Sequence, residues 1–226
     1  LQYFREVNLQ APDFALGLAW HSACLFMLGY WGHAPTSEVY PSAKHLALRA
    51  VAVDDSLARA HLVLGWMHLL LDWDLDAAVR EVRRAIELGP SEADAHSFHS
   101  TLLCFLGRTS EATREVEYML KLNPVPLMSN QYAAWMFSQM GLHARAEAQA
   151  RRTIARFPDC LQPYFVLGWS AWYQDRPEEA VATLEMAIGR SREAFSLSYL
   201  AHVYGRLGRC DEARSLLAEL EQLRTR

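Results

Sequence analysis

Small residues recur along this sequence at two sets of positions where helices would have to approach closely. The first set ends the packing face of a predicted first helix and never exceeds serine in size: Ser22, Gly65, Ser100, Ala134, Gly168 and Ala201. The second set opens the face of a predicted second helix and is always alanine: Ala43, Ala78, Ala112, Ala146, Ala180 and Ala213. Antiparallel helices approach closely only where a side chain nearly vanishes, so the pattern predicts six helix hairpins with a buried alanine column.

The spacing between these hairpins is regular. Pro90, Pro124 and Pro158 stand 34 residues apart, and so do Gly107, Gly141 and Asp175. Proline cannot continue a helix, so each proline is predicted to follow the end of a second helix. A fixed period of this length indicates an array of stacked supersecondary units that works through an extended surface.

Turn residues support the same division. Gly29, Gly107, Gly141 and Gly208 are predicted to end first helices, as glycine commonly does, and Asp175 takes the glycine position in another unit. Asp72-Trp73-Asp74 replaces the glycine turn of the second unit. About nine extra residues between Gly29 and Ala43 predict either a structured loop or a longer helix pair.

The run Gly107…Ala112…Leu122-Asn123-Pro124, with Leu167-Gly168, Ala180 and Ala187, resembles the tetratricopeptide repeat family. The resemblance implies an all-α, right-handed α-solenoid of about six hairpins plus a leading half-repeat. First helices would line its concave face, and it would bind partners rather than catalyse a reaction. We expect a single solenoid over 1–226, part of a larger protein, with a half-repeat at 1–11 and repeats at 15–55, 58–90, 93–124, 127–158, 161–190 and 194–226.

The departures from the family pattern carry a narrower resemblance. Ala11-Pro12-Asp13-Phe14-Ala15, the Tyr30-Trp31-Gly32 insert and Asp72-Trp73-Asp74 are similar to the C-terminal repeat regions of multidomain bacterial proteins. Those regions follow a winged-helix DNA-binding domain or a class III nucleotidyl cyclase domain. The resemblance implies the regulatory module of a transcriptional regulator, or alternatively of a cyclase.

Composition narrows the partner classes. About half of the residues are apolar, and the net charge of −4 with a pI near 6.1 shows no basic footprint for nucleic acid. The longest apolar run, Leu62 to Leu71, is too short to span a bilayer, and the first residues of this sequence are not expected to act as a secretory signal. Four widely spaced cysteines predict buried thiols in a reducing, cytoplasmic compartment rather than disulfides.

No nucleophile, zinc-protease or phosphate-loop motif is present, so we expect no enzymatic activity and no cofactor. His96 and His99 have a metal-compatible spacing, but no Cys, Asp or Glu joins them at a recognisable spacing, which favours a packed, hydrogen-bonded pair and no metal. Arginines on the second helices, such as Arg83 and Arg151, are interpreted as a solvated face rather than a phosphate-binding stripe.

One column does predict a binding surface. One residue beyond the small column stand Ala23, Trp66, Thr101, Trp135, Trp169 and His202, and neighbouring positions add Phe165, Trp172 and Tyr173. Tryptophan and tyrosine dominate interface hot spots, so we expect Trp66, Trp135, Phe165, Trp169, Trp172, Tyr173 and His202 to bind a partner. The alternative is that these rings pack on one another. The column lacks the lysines and asparagines with which chaperone-tail-binding tetratricopeptide domains clamp a carboxylate.

The sequence therefore predicts an interaction or sensory scaffold that binds a protein or peptide segment, with homodimerisation left open. A free-standing adaptor or secretion-type chaperone is a third hypothesis. An RNA-binding helical repeat is disfavoured by the acidic balance, and neither direct nucleic-acid contact nor membrane association is expected.

Overall fold

A computed structural model describes residues 1–192 and 194–224, and those residues form helices joined by short turns, with no β-strand among them. The all-α prediction is confirmed. The end of the last predicted repeat, residues 225–226, lies outside the described part. The chain divides into two compact units, with the boundary between Leu122 and Asn123.

Unit 1 contains seven α-helices. Its hairpins are α2 with α3, α4 with α5, and α6 with α7, and α1 packs on α2. The helices are α1 (Gln2–Gln10), α2 (Ala15–Tyr30), α3 (Thr36–Val53), α4 (Ala58–Met67), α5 (Leu75–Leu88), α6 (Ala93–Phe105) and α7 (Thr109–Leu122). A π-helical turn, His68–Asp72, extends α4.

Unit 2 repeats the arrangement with three hairpins, α8 with α9, α10 with α11, and α12 with α13. Its helices are α8 (Leu127–Gln139), α9 (His143–Arg156), α10 (Gln162–Tyr173), α11 (Pro177–Arg190), α12 (Ala194–Arg206) and α13 (Cys210–Arg224). The first helices pack side by side in the order α8, α10, α12, since α10 contacts both α8 and α12.

The alanine column is buried as predicted, and the first column approaches it closely at Gly65 and Gly168. All six column alanines are buried, and the first five have no exposed surface. A Cβ added to Gly168 would lie 2.6 Å from Leu184 Cγ and 3.4 Å from the carbonyl oxygen of Ala180, so only glycine fits there. Similarly, a Cβ added to Gly65 would lie 2.8 Å from Phe98 Cε1 and 3.4 Å from the carbonyl oxygen of Ala78.

The turn predictions are confirmed except at one glycine. Gly107, Gly141, Gly208 and Asp175 all take positive φ after a first helix. Gly29 does not, because α2 continues to Tyr30 and the left-handed residue is Gly32. Gly29 instead allows close packing, since a Cβ there would lie 2.4 Å from Tyr40 Cε1. The extra residues of the first unit form a longer helix pair, with Pro41 inside α3.

Candidate functional site

Trp66 is held inside an aromatic stack in unit 1. Its ring stacks on Phe98 at 3.8 Å between centroids and on Phe26 at 5.3 Å, with interplanar angles of 18° and 24°. Tyr30 approaches at 5.8 Å. The stack joins α2, α4 and α6, so Trp66 is engaged by rings from two other helices, and it is half-buried.

The other predicted site residues lie together in unit 2. Trp169 on α10 makes edge contacts with Tyr199 at 4.7 Å, Tyr173 at 5.1 Å and His202 at 5.5 Å. Trp172 lies 6.4 Å from His202. We call this group, with Trp135, the aromatic surface; it comprises Trp135, Trp169, Trp172, Tyr173, Tyr199 and His202. Tyr199 was not among the predicted site residues.

The members of the aromatic surface differ in exposure. Tyr173 is 58% exposed and His202 is exposed, whereas the three tryptophans and Tyr199 are half-buried. Phe165 is only 5% exposed and belongs to the core between α10 and its neighbours. Burial raises the pKa of the Tyr199 hydroxyl, consistent with an apolar setting. Phe165 therefore lies beneath the surface that the other rings form.

A narrow crevice opens within the aromatic surface, between α8, α10 and α12. Its volume is about 10 Å³, and its walls are Trp135, Ser138, Gln139, Gln162, Phe165, Val166, Trp169 and Tyr199. None of these side chains carries a charge. The hydroxyl of Ser138 and Oε1 of Gln162 are buried and have no hydrogen-bond partner among the described residues. Uncharged walls with unpaired polar atoms suit an uncharged ligand that can form hydrogen bonds.

His96 and His99 converge on a carboxylate that the sequence analysis missed. Nδ1 of His96 lies 2.6 Å from Oε2 of Glu115, and Nδ1 of His99 lies 3.1 Å from Oε1. Burial alone would raise the pKa of Glu115, but the two histidines hold it at about 2. Sequence spacing gave no sign of an acidic residue beside this pair, but Glu115 reaches it from the next helix, α7. Among the described residues, no group of three or more His, Cys, Asp or Glu side chains is arranged to hold a metal ion.

The same contact recurs in three hairpins. In each, a polar side chain on the first helix forms a hydrogen bond with a side chain on the second helix. It forms another with the backbone carbonyl three residues before the first helix begins. The three sets are His61 with Glu81 and Asp55, His96 with Glu115 and Pro90, and Asn130 with Gln149 and Pro124. We call these contacts the polar clasps. Their spacing of 34 to 35 residues in the sequence is the signal that could have identified the missing glutamates.

Arg151, on second helix α9, is engaged in an ion pair rather than only solvated, and Arg176, which directly precedes α11, shares the same carboxylate. In unit 2, Glu147 accepts from both Arg176 and Arg151, at 2.6 and 2.7 Å. The hydrogen bond from Arg176, aided by Arg151, lowers the pKa of Glu147 to about 2 against the opposing effect of burial. Arg145 stacks on the Phe137 ring at 4.2 Å. Arg83 is exposed, as expected of a solvated face.

The cysteines differ from the expectation as well. All four are free thiols, but three are half-buried and Cys210 is exposed, so the prediction of four buried thiols was wrong. Among the described residues, no helix combines the length and the apolar character that crossing a membrane requires.

Comparison with known proteins gives a fold but no family. No protein-family model matches the sequence, and no curated protein matches it. Solved structures do match. A tetratricopeptide repeat protein from Parabacteroides merdae aligns over 98% of this chain and 84% of its own, with 13% identity and a TM-score of 0.74. The pilus biogenesis factor PilW aligns over 89% and 92%, with 20% identity and a TM-score of 0.69.

A third structure is YrrB, described as a tetratricopeptide repeat protein with an unusual peptide-binding site. It aligns over 85% of this chain and 94% of its own, with 16% identity and a TM-score of 0.56. At these identities the likeness concerns the fold. The chain therefore has the α-solenoid fold of tetratricopeptide repeat proteins.

Proposed function

We propose that this chain is a protein-interaction module without catalytic activity, and that it binds a peptide or protein segment on the aromatic surface of unit 2. The observation that carries the proposal is the clustering of half-exposed tryptophans around an uncharged crevice on the first helices. Exposed aromatic clusters of this kind are costly in water and are characteristic of binding sites. YrrB, which shares the fold, has a peptide-binding site of its own.

Within the set of site residues, we assign different roles. Trp135, Trp169, Trp172, Tyr173 and His202 would contact the partner, and Phe165 would support them from below. Trp66 would act mainly in packing, because its ring stacks on Phe98 and Phe26 within the fold. Most of the predicted site residues are therefore assigned to partner binding, whereas Trp66 is assigned to the alternative in which the rings pack on one another.

The finer proposal concerns context. The Tyr30-Trp31-Gly32 insert and the Asp72-Trp73-Asp74 turn support a role as the C-terminal regulatory module of a bacterial transcriptional regulator in the cytoplasm. The same residues support a module attached to a nucleotidyl cyclase. Sequencing the complete gene separates these two hypotheses. An upstream winged helix supports the first and an upstream cyclase domain supports the second. The absence of both domains would refute both hypotheses.

The binding surface is tested with a phage-displayed library of linear twelve-residue peptides selected on the whole chain. Trp169→Ala should weaken a selected peptide by at least about thirtyfold, corresponding to a hot spot of about 2 kcal/mol. The control is Met186→Ala, since Met186 is an exposed apolar residue on second helix α11 of the same unit. Equal effects of the two substitutions, or peptides insensitive to both, would refute the proposed surface.

A further inference from the structure

Two residues that line the crevice of unit 2 each carry a buried polar atom without a hydrogen-bond partner in the part of the chain that the structure describes. Ser138, near the end of α8, is 7% exposed, and its hydroxyl makes no hydrogen bond. Gln162, the first residue of α10, has its Oε1 buried and unpaired. Buried polar groups are nearly always hydrogen-bonded, and an unpaired one destabilises the fold. Two such atoms, on residues that line one crevice, therefore point to a ligand.

The chemistry of the two atoms defines what would satisfy them. Oε1 of Gln162 only accepts, so it needs an N–H or O–H donor, whereas the serine hydroxyl can donate or accept. A peptide backbone supplies an N–H and a C=O on the same short segment. The uncharged walls disfavour a charged group at this point, because a charge removed from water needs a partner that the crevice lacks.

The need for free hydrogen-bonding groups also distinguishes an extended peptide ligand from a helical one. In the interior of an α-helix, every backbone N–H and C=O is already bonded to a residue four positions away. An extended segment leaves these groups free. At about 10 Å³ the crevice admits a group of roughly the size of one water molecule, such as one amide N–H of a segment lying across it.

We propose that the crevice of unit 2 recognises the backbone amide of an extended, uncharged peptide segment, through Gln162 Oε1 and the Ser138 hydroxyl. This inference rests on the proposed function and specifies the partner for the same surface. The aromatic rings supply contact area, and the two polar atoms select an extended backbone over a helix.

The test uses synthetic versions of the peptides selected from the twelve-residue library. Ser138→Ala and Gln162→Met should each weaken binding by about three- to tenfold, as expected for one neutral hydrogen bond. Methylation of one central backbone nitrogen of the peptide should remove most of the peptide's affinity for the wild-type protein. If the donor were instead a ligand side chain, replacing that side chain and not methylating the backbone would cause the loss, and the proposal would be wrong.

Ser170→Ala provides the matched control. Ser170 is on α10, is fully buried and also has an unpaired hydroxyl, but it does not line the crevice. It should leave peptide affinity unchanged, and circular dichroism should show all three variants folded.

The outcomes separate this inference from the proposed function. If Trp169→Ala abolishes binding while Ser138→Ala and Gln162→Met bind like wild type, the surface is right and the backbone recognition is wrong. The backbone recognition is also wrong if the selected peptides are helical when bound, or if they carry a charged residue at the centre of the peptide. If the library yields no peptide that Trp169→Ala weakens, both proposals fail.

Discussion

Trp73 combines two unfavourable features at one position. It has φ of 54°, the left-handed conformation that glycine adopts at the corresponding turns, and its side chain is 85% exposed. The left-handed conformation costs a non-glycine residue about 1–2 kcal/mol. The π-helical turn His68–Asp72 immediately precedes it.

We predict that Trp73→Gly stabilises the protein. Relief of the backbone penalty should exceed the added unfolded-state entropy of glycine, about 0.5–1 kcal/mol, and little buried area is lost. The melting temperature should rise. Phe105→Gly is the control, because Phe105 is also an exposed aromatic but is helical, and glycine there should lower the melting temperature. A lower melting temperature for Trp73→Gly would show that the indole makes a stabilising contact.

Ala146 tests the packing column. It has no exposed surface, so Ala146→Leu should overpack the contact between α8 and α9 and destabilise the protein by about 1–3 kcal/mol. Ala148→Leu, on the exposed side of the same helix, should change stability little. Chemical denaturation measures both, and similar midpoints for the two variants would contradict the assigned register.

Some residues were predictable from the sequence and others were not, for physical reasons. The alanine column was predictable because the close approach of two helices limits the size of the residue at each position, whatever the rest of the chain contains. Whether Trp66 faces solvent was not, because its burial depends on Phe26 and Phe98 from two other helices. Glu115 was missed because its partner His96 lies nineteen positions away, across a turn.

At the scale of the helix hairpin, the polar clasps make stability depend on pH. Burial opposes the charging of His96, but hydrogen bonds to Glu115 and the Pro90 carbonyl raise its pKa above the usual 6.5. The pKa of His61 is raised in the same way by Glu81 and the Asp55 carbonyl, again against burial. A raised histidine pKa means that the folded state binds the proton more tightly than the unfolded state.

The direction of the pH effect follows by linkage. The histidine contribution is fully present below pH 6.5 and is lost as the pH rises through the folded-state pKa. The contribution of Glu115 is present above its usual 4.5 and is lost as the pH falls towards about 2. The stabilisation by the His96–Glu115 clasp should therefore be greatest between about pH 4.5 and 6.5.

We predict that His96→Asn combined with Glu115→Gln reduces this pH dependence while preserving the fold. The substitution reproduces the Asn130–Gln149 clasp, which this chain already uses at the same hairpin positions. Melting temperatures measured from pH 5.5 to 8.5 should fall less for the variant than for wild type. His202→Asn is the control, because His202 is exposed and belongs to no clasp. Equal slopes for the double variant and wild type would rule out this clasp as a source.

At the scale of the whole molecule, the fold persists at 13 to 20% identity to the structures that share it. Only a few constraints are needed to specify it: small residues at the hairpin contact, a left-handed residue after the first helix and a break after the second. The remaining positions are free to vary, which explains why the architecture was predictable while the ligand was not. In the proposed function, partner specificity depends on the residues of the aromatic surface.

A repeat array of this kind should not unfold as one cooperative block, because each repeat contacts mainly its neighbours along the chain. Leu184 on α11 and Val82 on α5 are both fully buried and belong to the cores of unit 2 and unit 1. Leu184→Ala should cost about 2–5 kcal/mol locally. In native-state hydrogen exchange it should accelerate the amides of α10 to α12 while leaving those of α2 to α5 close to wild type. Val82→Ala should give the opposite pattern, and uniform acceleration in both variants would show that the chain unfolds as a single unit.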